Sequence, residues 1–438
     1  MMLRTFKGGL HIDDHKTITN QIPIKKIPGA PIHIYPLQQH IGAPLEVLIK
    51  PGDRVLAGQK LADSDAYVSA PIHASISGTV KEIKPHLHPS GAMVTSIFVE
   101  NDFQNEVFPE VCPKNPEQMT REEMLSVVRN AGIVGMGGAG FPTHVKLSPP
   151  KDKTITHVIV NGAECEPYLT SDHRRMLESP EEVLGGLKIA MKILGLSEGW
   201  IGIEANKPDA ISKMEEIKDA NIHIVPLKTK YPQGAEKQLI YAVTRRQVPS
   251  GGLPADAGAI VLNVDTATAI YRAFATGMPL CERIITMSGD CYQTPCNLAV
   301  PIGVPFSYLV EQAGGFSKEP KRLIMGGPMM GMAQYSLDVP VIKTTSCLLA
   351  LSEVEIGYDQ DSPCIRCGKC VDHCPMHLMP LYLSKFAAAG DLEKAEKYHI
   401  LDCMECGVCS YLCPGKQSPL QNIRIAKQQI LENKRRKK

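Results

Sequence analysis

The sequence contains no stretch of 18 or more apolar residues, and its first nine residues include no apolar segment. We therefore expect neither a membrane-spanning helix nor a signal peptide. Aromatic residues are sparse, at 5% with a single tryptophan, and the formal net charge is only +1. A nearly neutral chain has no overall field that would attract nucleic acid or an acidic substrate. A phosphate-binding loop of the form GxxxxGK[ST] is also absent, so an ATPase is not favoured.

The chain does contain ample core material, since 43% of its 438 residues are hydrophobic. That length predicts about three domains. Fourteen cysteines would suggest disulfides in a secreted protein, but eight of them stand in two tight runs with metal-ligand spacing. This arrangement predicts a reducing cellular interior. The one dense basic run, residues 434–438, is interpreted as a solvated tail, with docking to anionic lipid or a partner as the alternative.

The two cysteine runs share one spacing, CxxCxxCxxxCP, which repeats without error at 364–375 and 403–414. Three thiolates spaced in this way can wrap one face of an iron–sulfur cubane, and the fourth cysteine, which precedes a proline, reaches the other cluster. The spacing therefore predicts two [4Fe–4S] clusters with crossed ligands. One cluster is assigned Cys364, Cys367, Cys370 and Cys413, and the other Cys374, Cys403, Cys406 and Cys409.

A pair of zinc sites is the alternative for these runs. Zinc sites usually take four ligands from two CxxC pairs, so three cysteines plus one followed by proline fit iron–sulfur better. Between the runs, residues 381–390 and 391–398 have helical composition, separated by a glycine stop and an aspartate cap, and residues 423–434 predict a closing helix. We therefore expect an α-helical ferredoxin module. The other six cysteines are interpreted as buried or incidental thiols.

A glycine-rich loop at 130–146 is the second strong feature. Five glycines between 132 and 140 leave backbone N–H groups open to a phosphate or a flat ring, and Lys146 supplies a cation that could neutralise phosphate or a reduced flavin. A strand is predicted at 156–161, and polar side chains stand at its carboxyl end, where α/β sheets bind ligands. Two carboxylates there fit ribose hydroxyls or a ring edge; a solvated acidic turn is the alternative. The candidate residues are Gly135, Gly137, Gly138, Ala139, Gly140, Phe141, Lys146, Asn161, Glu164 and Glu166.

This combination closely resembles the FMN- and NADH-binding subunit of respiratory complex I, whose fold is Rossmann-like. Two further segments occur in that family's order. Residues 231–236 resemble an acidic loop that contacts flavin and nicotinamide, and residues 262–266 resemble a segment that holds the FMN phosphate. The resemblance implies that FMN and NAD(H) bind here, and it adds further candidate cofactor-binding residues: Gly234, Glu236, Asn263, Asp265 and Thr266.

The same resemblance assigns roles. Hydride transfer belongs to FMN, so no residue is given a certain catalytic role, while Glu166 and Glu236 are expected near the nicotinamide. FMN is the converter between a two-electron donor and one-electron clusters. Ala163 departs from the family, which has a flavin-contacting aspartate at that position. No basic residue is clearly placed for a 2′-phosphate, which favours NAD over NADP.

In the N-terminal region, residues 47–61 and 68–80 resemble the two halves of a biotinyl/lipoyl-type barrel-sandwich hybrid. That family carries its cofactor on a lysine in the hairpin between the halves, whereas this chain has Ser64-Asp-Ala-Tyr67 there. We therefore expect a docking or packing domain without a swinging arm. Several histidines in this region could suggest a metal site but are interpreted as scattered surface residues: His11, His15, His73, His86 and His88.

Residues from about 280 to 350 alternate predicted strands, among them 282–288 and 321–327, with one helix at 307–314. This pattern resembles the β-grasp (SLBB) domain that lies between the flavin and cluster domains of the complex I subunit. Residues 355–363 are polar and predict a linker.

The order of these modules, together with the opening Phe6-Lys-Gly-Gly-Leu-His11, resembles the RnfC family, one of the subunits of the Rnf (Rsx) ion-translocating electron transport complexes. We expect a multidomain α/β plus β fold: a barrel-sandwich hybrid at 1–112, a Rossmann-like FMN/NAD(H) domain at 113–275, a β-grasp domain at 276–352 and the two-cluster ferredoxin at 353–438.

That resemblance implies an NAD(H)-dependent iron–sulfur flavoprotein held peripherally at the cytoplasmic face of the inner membrane. It would pass electrons between NAD(H), FMN and two [4Fe–4S] clusters and couple ferredoxin/NAD electron transfer to Na⁺ or H⁺ transport. Its partners would be subunits A, B, D, E and G, with ferredoxin contacted only indirectly and ions moved by the membrane subunits.

Two alternatives stay open. A soluble cobalamin reductase-type diaphorase has similar modules, but we expect it to place its barrel-sandwich domain elsewhere, and here that domain is N-terminal. A flavin-less iron–sulfur wiring or docking subunit is favoured by Ala163 alone.

Overall fold

The computed structural model describes residues 3–353 and 363–436. Most of residues 28–105 forms two small antiparallel sheets that share one core. Buried side chains from both sheets meet there, among them Tyr35, Leu61, Ile72 and Ile97. Strand β1 (Ile24–Lys26) precedes these sheets and belongs to another one. The strands of the two sheets are β2 (Ile32–Pro36), β3 (Glu46–Val47), β4 (Arg54–Val55), β5 (Lys60–Asp63), β6 (Ile72–His73), β7 (Gly78–Leu87) and β8 (Met93–Asn101). One sheet has the order β2–β8–β7–β4 and the other β3–β5–β6.

The first 27 residues lie outside these two sheets. Strand β1 pairs in parallel with residues 297–299, and Leu10 forms an isolated bridge with Tyr231. The segment passes so close to the backbone of residues 231 and 374 that only glycine fits at positions 8 and 9. A Cβ on Gly8 would lie 2.7 Å from the Cys374 carbonyl oxygen, and one on Gly9 would lie 2.4 Å from the Tyr231 carbonyl oxygen. Both glycines also have positive φ, which explains this part of the opening motif.

The second region is built on a parallel four-stranded sheet of order β11–β10–β9–β12. Its central residues Val158, Ile159 and Val160 are completely buried, as expected when helices cover both faces. The strands are β9 (His157–Gly162), β10 (Gly199–Glu204), β11 (Ile222–Leu227) and β12 (Ala259–Asn263). The helices are α1 (Arg121–Asn130), α2 (Thr143–Lys146), α3 (Ser171–Glu178), α4 (Pro180–Leu194), α5 (Pro208–Ile217), α6 (Glu236–Thr244) and α7 (Val264–Ala275). The strand predicted at 156–161 is confirmed as β9.

The third region is a mixed six-stranded sheet packed on one helix. Its order is β1–β14–β13–β17–β15–β16, so the N-terminal strand forms one edge. The predicted strands and helix are confirmed within a few residues. The elements are β13 (Glu282–Gly289), β14 (Cys296–Pro301), α8 (Phe306–Gln312), β15 (Arg322–Met325), β16 (Met332–Gln334) and β17 (Cys347–Leu351).

The C-terminal region is helical, as predicted. Its helices are α9 (Lys369–Asp372), α10 (Pro380–Ala388), α11 (Leu392–Lys397), α12 (Val408–Tyr411) and α13 (Pro419–Arg436). Gly390 has a φ of +70°, and the Asp391 side chain accepts a hydrogen bond from Lys394 N at 3.0 Å, so the predicted stop and cap are confirmed. The predicted linker at 355–363 and the tip of the basic tail fall almost entirely outside the described residues.

The structure also bears on two sequence predictions, the absence of a membrane span and the exposure of the N-terminal histidines. No helix within residues 3–353 and 363–436 is long and apolar enough to span a membrane. The interpretation of the five N-terminal histidines as surface residues is wrong for His73 and His88, which are buried. His73 lies on β6, an edge strand of the three-stranded sheet, and is covered by the start of the glycine loop, since a Cβ on Gly132 would lie 3.3 Å from its ring. The His88 ring is held by hydrogen bonds to Ser90 Oγ and to the Gln38 carbonyl oxygen.

Candidate functional site

The glycine loop is a closed turn whose tip is open to solvent. Gly135 N donates to Phe141 O at 2.9 Å, and Thr143 N donates to Ile133 O at 3.0 Å, which ties the two arms together. The tip residues 137–139 are exposed, and a Cβ placed on Gly138 would meet no atom within 4 Å. The tip therefore offers bare backbone and free space to a ligand.

Helix α7 begins directly behind this loop. Asn263 caps it by accepting a hydrogen bond from Asp265 N at 2.9 Å, and a Cβ on Gly137 would lie only 3.0 Å from Asn263 Nδ2. Thr266 Oγ1 accepts from Met136 N at 3.1 Å, which fixes the loop to the helix. A glycine loop joined to a helix N-terminus suits a phosphate group, because both present N–H donors.

Asp172, at the start of α3, belongs to the same site although sequence reasoning missed it. Its carboxylate accepts a hydrogen bond from Asn263 Nδ2 at 2.7 Å. Burial, together with the nearby carboxylates of Glu164 and Asp265, raises the pKa of Asp172 well above its usual value. Nothing in the sequence around position 172 signals this, because its neighbours in the site come from β12 and from the 161–166 loop.

Two loops at the carboxyl edge of the sheet are fastened to each other. Asn161 Nδ2 donates to Gly234 O at 2.7 Å, and Gly234 N donates to Cys165 Sγ at 3.3 Å. A Cβ on Gly234 would lie 2.1 Å from Ala163 O, so glycine is required there. The Ala163 side chain packs in a buried apolar cluster with Leu227 and Leu239. In this chain, position 163 thus contributes packing.

A half-exposed ion pair joins the two ends of the site. Lys146 Nζ, at the end of α2, lies 2.5 Å from Glu236 Oε1 at the start of α6. The pair brings the glycine-loop side together with the 231–236 loop.

Three of the predicted residues are instead directed into the protein interior. Glu164 accepts hydrogen bonds from Asp172 N at 2.8 Å and from Ser171 Oγ at 3.3 Å, and is buried. The Thr266 hydroxyl accepts a hydrogen bond from Met136 N and donates one to Val134 O, so both of its hydrogen bonds are made with the glycine loop. Asp265 is held by two buried arginines, Arg175 Nε at 2.9 Å and Arg283 Nη1 at 2.7 Å. These contacts indicate that the three residues position the loops. They do not support a direct contact between any of the three side chains and a cofactor.

The arginine pairing of Asp265 gives a stability prediction. Replacing Asp265 with alanine leaves two guanidinium groups buried without their carboxylate, so we expect a loss of about 3–5 kcal/mol in the free energy of unfolding. Asp219→Ala is the control, because it removes a solvent-exposed pair with Lys188 and should cost less than about 1 kcal/mol. Urea denaturation followed by circular dichroism measures both, and equal small losses would contradict the assignment.

Glu166 leads from this site toward the cysteines. It accepts a hydrogen bond from Met329 N at 3.1 Å, and its Oε1 lies 3.4 Å from Tyr231 Oη. Burial raises the pKa of Glu166 to about 7. Tyr231 donates to the carbonyl oxygen of Cys406 at 2.7 Å, so one buried tyrosine touches both regions.

Four cysteines line one cavity in the C-terminal region, and its wall is otherwise almost wholly apolar. They are the four assigned from the spacing to one cluster: Cys374, Cys403, Cys406 and Cys409. Burial raises the pKa of the Cys406 and Cys409 thiols to about 12, so metal ligation is what would hold them as thiolates.

The other four cysteines lie nearer the surface. Cys364 and Cys367 are exposed, while Cys370 and Cys413 are half-buried. Burial raises the pKa of Cys370, and the thiols of Cys367 and Cys364 raise it further. Cys413 follows α12, which packs against α9 and its Cys370. The assignment of Cys413 to one cluster with these three cysteines stays a prediction.

No three His, Cys, Asp or Glu side chains in the described parts of the chain converge closely enough to hold a single metal ion. The four cavity cysteines, three of them buried and Cys403 half-buried, are instead distributed around the cavity wall. A cubane has four iron corners, so its ligands stand farther apart than the ligands of one zinc ion. An apolar cavity lined by four cysteines fits an iron–sulfur cluster.

The cavity faces the parallel-sheet domain. Gln238, one turn into α6, donates from Nε2 to the carbonyl oxygen of Pro375 at 3.0 Å. Gly9 N donates to His373 O at 2.8 Å. Asp402 accepts from Gly251 N at 3.0 Å, so the 249–252 loop also holds the cluster domain. The helix that starts at Glu236 thus runs from the glycine-loop site to the cavity wall.

Comparison with protein families identifies a domain model for each of the four regions. Residues 4–104 match the RnfC barrel sandwich hybrid domain, and residues 128–272 match the Nuo51 FMN-binding domain. Residues 284–333 match the SLBB domain, and residues 356–414 match a 4Fe-4S dicluster domain.

Relatives with established names extend over almost the whole chain. It is 45% identical to the C subunit of the Na(+)-translocating ferredoxin:NAD(+) oxidoreductase complex of Acetobacterium woodii, over 99% of this chain and 98% of that protein. It is 46% identical to the corresponding subunit of the proton-translocating complex of Clostridium ljungdahlii, over 97% and 94%. The C subunit of the ion-translocating oxidoreductase complex of Rhodobacter capsulatus is 42% identical, over 99% and 84%.

Proposed function

The chain belongs to the RnfC family, the C subunits of the ion-translocating ferredoxin:NAD(+) oxidoreductase (Rnf) complexes, and on this premise we propose that its own residues bind NAD(H), one FMN and two [4Fe–4S] clusters. As a member of that family it is a redox enzyme subunit in a complex that couples electron transfer between ferredoxin and NAD to ion transport. One observation carries the proposal. Tyr231, in the loop that ends at Glu236, donates its hydroxyl hydrogen bond to the backbone of Cys406 at 2.7 Å.

The FMN would lie in the space between the glycine loop and the fastened loops at the edge of the sheet. Gly135, Gly137, Gly138, Ala139 and Gly140 would present backbone to it, and Lys146 would offset the charge of phosphate or reduced ring. Asn161, Gly234 and Asn263 fix the loops around that space. Bound flavin would accept two electrons together and release them singly, which is the chemistry that the clusters need.

NAD(H) would enter from the exposed side, over Phe141 and toward Glu166 and Glu236. Glu236 is half-exposed and paired with Lys146, so it can accept a hydrogen bond from a ribose or carboxamide group. Asp265, Thr266 and Glu164 would act behind this surface, by holding the loop and helix ends in place.

We assign an order to the two clusters. The cluster of Cys374, Cys403, Cys406 and Cys409 would be nearer the flavin, since its cavity wall touches Gln238, Tyr231 and Gly8. The cluster of Cys364, Cys367, Cys370 and Cys413 would be the outer one, because its first two thiols are exposed. Electrons would leave or enter the protein there.

The family implies finer features that we include in the proposal. The four-stranded parallel sheet with flanking helices supports a Rossmann-like class for the FMN-binding domain, and the mixed sheet around α8 supports a β-grasp class for the SLBB domain. Subunits A, B, D, E and G would be the partners, and contact with ferredoxin would be indirect. The location would be peripheral, at the cytoplasmic face of the inner membrane.

Anaerobic purification followed by cofactor analysis tests this function. We expect about eight iron atoms and one FMN per chain, from two four-iron clusters, together with NADH-dependent reduction of a viologen dye. Iron without flavin and without NADH oxidation would favour the alternative, a flavin-less wiring subunit. Zinc in place of iron would overturn the proposal.

The Lys146→Ala variant tests whether this lysine contributes to FMN binding. Lys146→Ala removes the cation and leaves the Glu236 carboxylate unpaired at the flavin, so we expect FMN affinity to fall about 10- to 100-fold. Lys153→Ala is the matched control, since Lys153 is similarly exposed and pairs with Asp256 at 3.0 Å away from the site. Fluorescence titration of released FMN measures both variants. Undiminished flavin in Lys146→Ala would remove this lysine from the site.

A further inference from the structure

Three apolar side chains stand exposed around the mouth of the glycine loop, and two of them come from the barrel-sandwich domain. Tyr67 is 60% exposed, Ile41 is 50% exposed and Phe141 is 37% exposed. Tyr67 ends the hairpin that carries a lysine-linked cofactor in biotinyl and lipoyl domains, and Ile41 lies in the loop after β2. An exposed apolar patch at the rim of a polar site commonly marks a ligand-binding surface.

Backbone contacts join these residues to the glycine loop. Ile41 N donates to Gly140 O at 3.2 Å, and Ala43 N donates to Val68 O at 2.9 Å, which links the two sandwich loops to each other. His144, three residues after Phe141, donates from Nε2 to the carbonyl oxygen of Tyr67 at 3.0 Å. The Tyr67 and His144 rings also meet edge to face, with centroids 5.9 Å apart.

The hairpin is clamped to the start of the glycine loop, so Tyr67 has a fixed position. Arg129, at the end of α1, donates to both carboxylate oxygens of Asp63 at 3.0 and 3.3 Å and to Ser64 O at 2.5 Å. Buried Lys343 of the SLBB region donates to Pro71 O at 2.6 Å and to Gly132 O at 2.7 Å. The hairpin therefore cannot swing, and it presents its aromatic tip at a constant place.

We propose that the barrel-sandwich domain supplies one wall of the NAD(H) site, in which Tyr67 and Ile41, facing Phe141, hold the adenine ring. This inference rests on the proposed function and extends it to the outer half of the dinucleotide. The nicotinamide must meet the flavin at the inner end, beside Glu166 and Glu236, so the adenine lies at the outer, exposed end. Flat bases stack on aromatic side chains, and sites of this kind often form between domains.

A comparison of two substrates tests the wall. NADH carries the adenine ring, whereas reduced nicotinamide mononucleotide lacks the whole adenylate half but delivers the same hydride. In the flavin- and cluster-loaded protein, Tyr67→Ala should lower kcat/KM for NADH about 10- to 100-fold, the range for removal of one stacked ring. We expect kcat/KM for the mononucleotide, the FMN content and kcat at saturating NADH to stay unchanged. Tyr67→Phe should restore kcat/KM for NADH, because the ring is what stacks.

Tyr335→Ala provides the matched control, since Tyr335 is a 77% exposed tyrosine on the SLBB region. It should leave both substrates unaffected. An NADH efficiency unchanged in Tyr67→Ala, or a loss shared equally by the two substrates, would overturn the inference while leaving the proposed function standing. A wild-type protein that oxidises neither substrate would remove the proposed function itself, and this inference with it.

Discussion

Cys374→Ser should reduce the iron content from about eight to about four atoms per chain and should leave the remaining cluster unreduced by NADH. The reason lies in the position of the cavity. Cys374 lines it, and the residues around the cavity contact Gln238 and Tyr231 of the parallel-sheet domain. Without the inner cluster, electrons from the flavin have no relay to the outer one. Electron paramagnetic resonance after NADH addition measures the effect, and FMN should still be reduced.

Cys364→Ser is the control for this prediction. It removes an exposed ligand of the outer cluster, so the iron content should again fall by about half. The inner cluster should nevertheless still be reduced by NADH. The two variants therefore lose equal iron but differ in their NADH-reducible signal. Reduction of a cluster by NADH in Cys374→Ser, with none in Cys364→Ser, would reverse the assigned order.

The second large effect is expected at the tip of the glycine loop. Gly138→Val adds a branched side chain where no protein atom lies within 4 Å, so it should change the free energy of unfolding by less than about 1 kcal/mol. The same side chain occupies the space proposed for the flavin. We expect FMN affinity to fall at least about 100-fold, with a smaller loss for Gly138→Ala. Thermal unfolding and FMN titration separate the two quantities.

Gly234→Ala should behave differently. Its new Cβ would lie 2.1 Å from Ala163 O, so the two fastened loops must move apart. Stability and flavin affinity should then fall together. If Gly138→Val retained FMN at wild-type affinity, the ligand would not occupy the space over the loop tip.

Local sequence patterns were sufficient wherever chemistry depends on neighbours in the chain. The cysteine spacing assigned Cys374, Cys403, Cys406 and Cys409 to one group, and the structure places those four around one cavity. The helices between the runs were predicted from a glycine stop and an aspartate cap, both of which are confirmed. Spacing and capping are properties of a few consecutive residues, which explains why they could be read directly.

Contacts between segments that are far apart in the chain could not be predicted from local sequence patterns. The N-terminal strand at 24–26 joins a sheet whose partner lies some 270 residues later, and the opening glycines are explained only by the approach of residues 231 and 374. Asp172 enters the site through Asn263, and His73 is buried because the segment around Gly132 packs against its ring. None of these pairings leaves a periodic or compositional mark in the sequence.

The directions of the side chains at the carboxyl edge of the sheet could not be predicted from the sequence either. Motif resemblance placed Glu164, Glu166 and Asp265 in one group, whereas the structure directs Glu164 into the interior and pairs Asp265 with two arginines. Glu166 is directed toward Tyr231 and the cluster domain. Asp265 is held in the interior by its ion pairs with Arg175 and Arg283. These arginines lie on α3 and β13, at separations along the chain that no local motif specifies.

We propose that a flavin site and two cubanes are joined within this one polypeptide. Anaerobic addition of NADH to the purified protein, followed by low-temperature electron paramagnetic resonance, tests it most directly. We expect signals of reduced [4Fe–4S] clusters to appear on NADH addition, in a protein that contains FMN. Clusters that dithionite reduces but NADH leaves oxidised, with the flavin present, would contradict the claim.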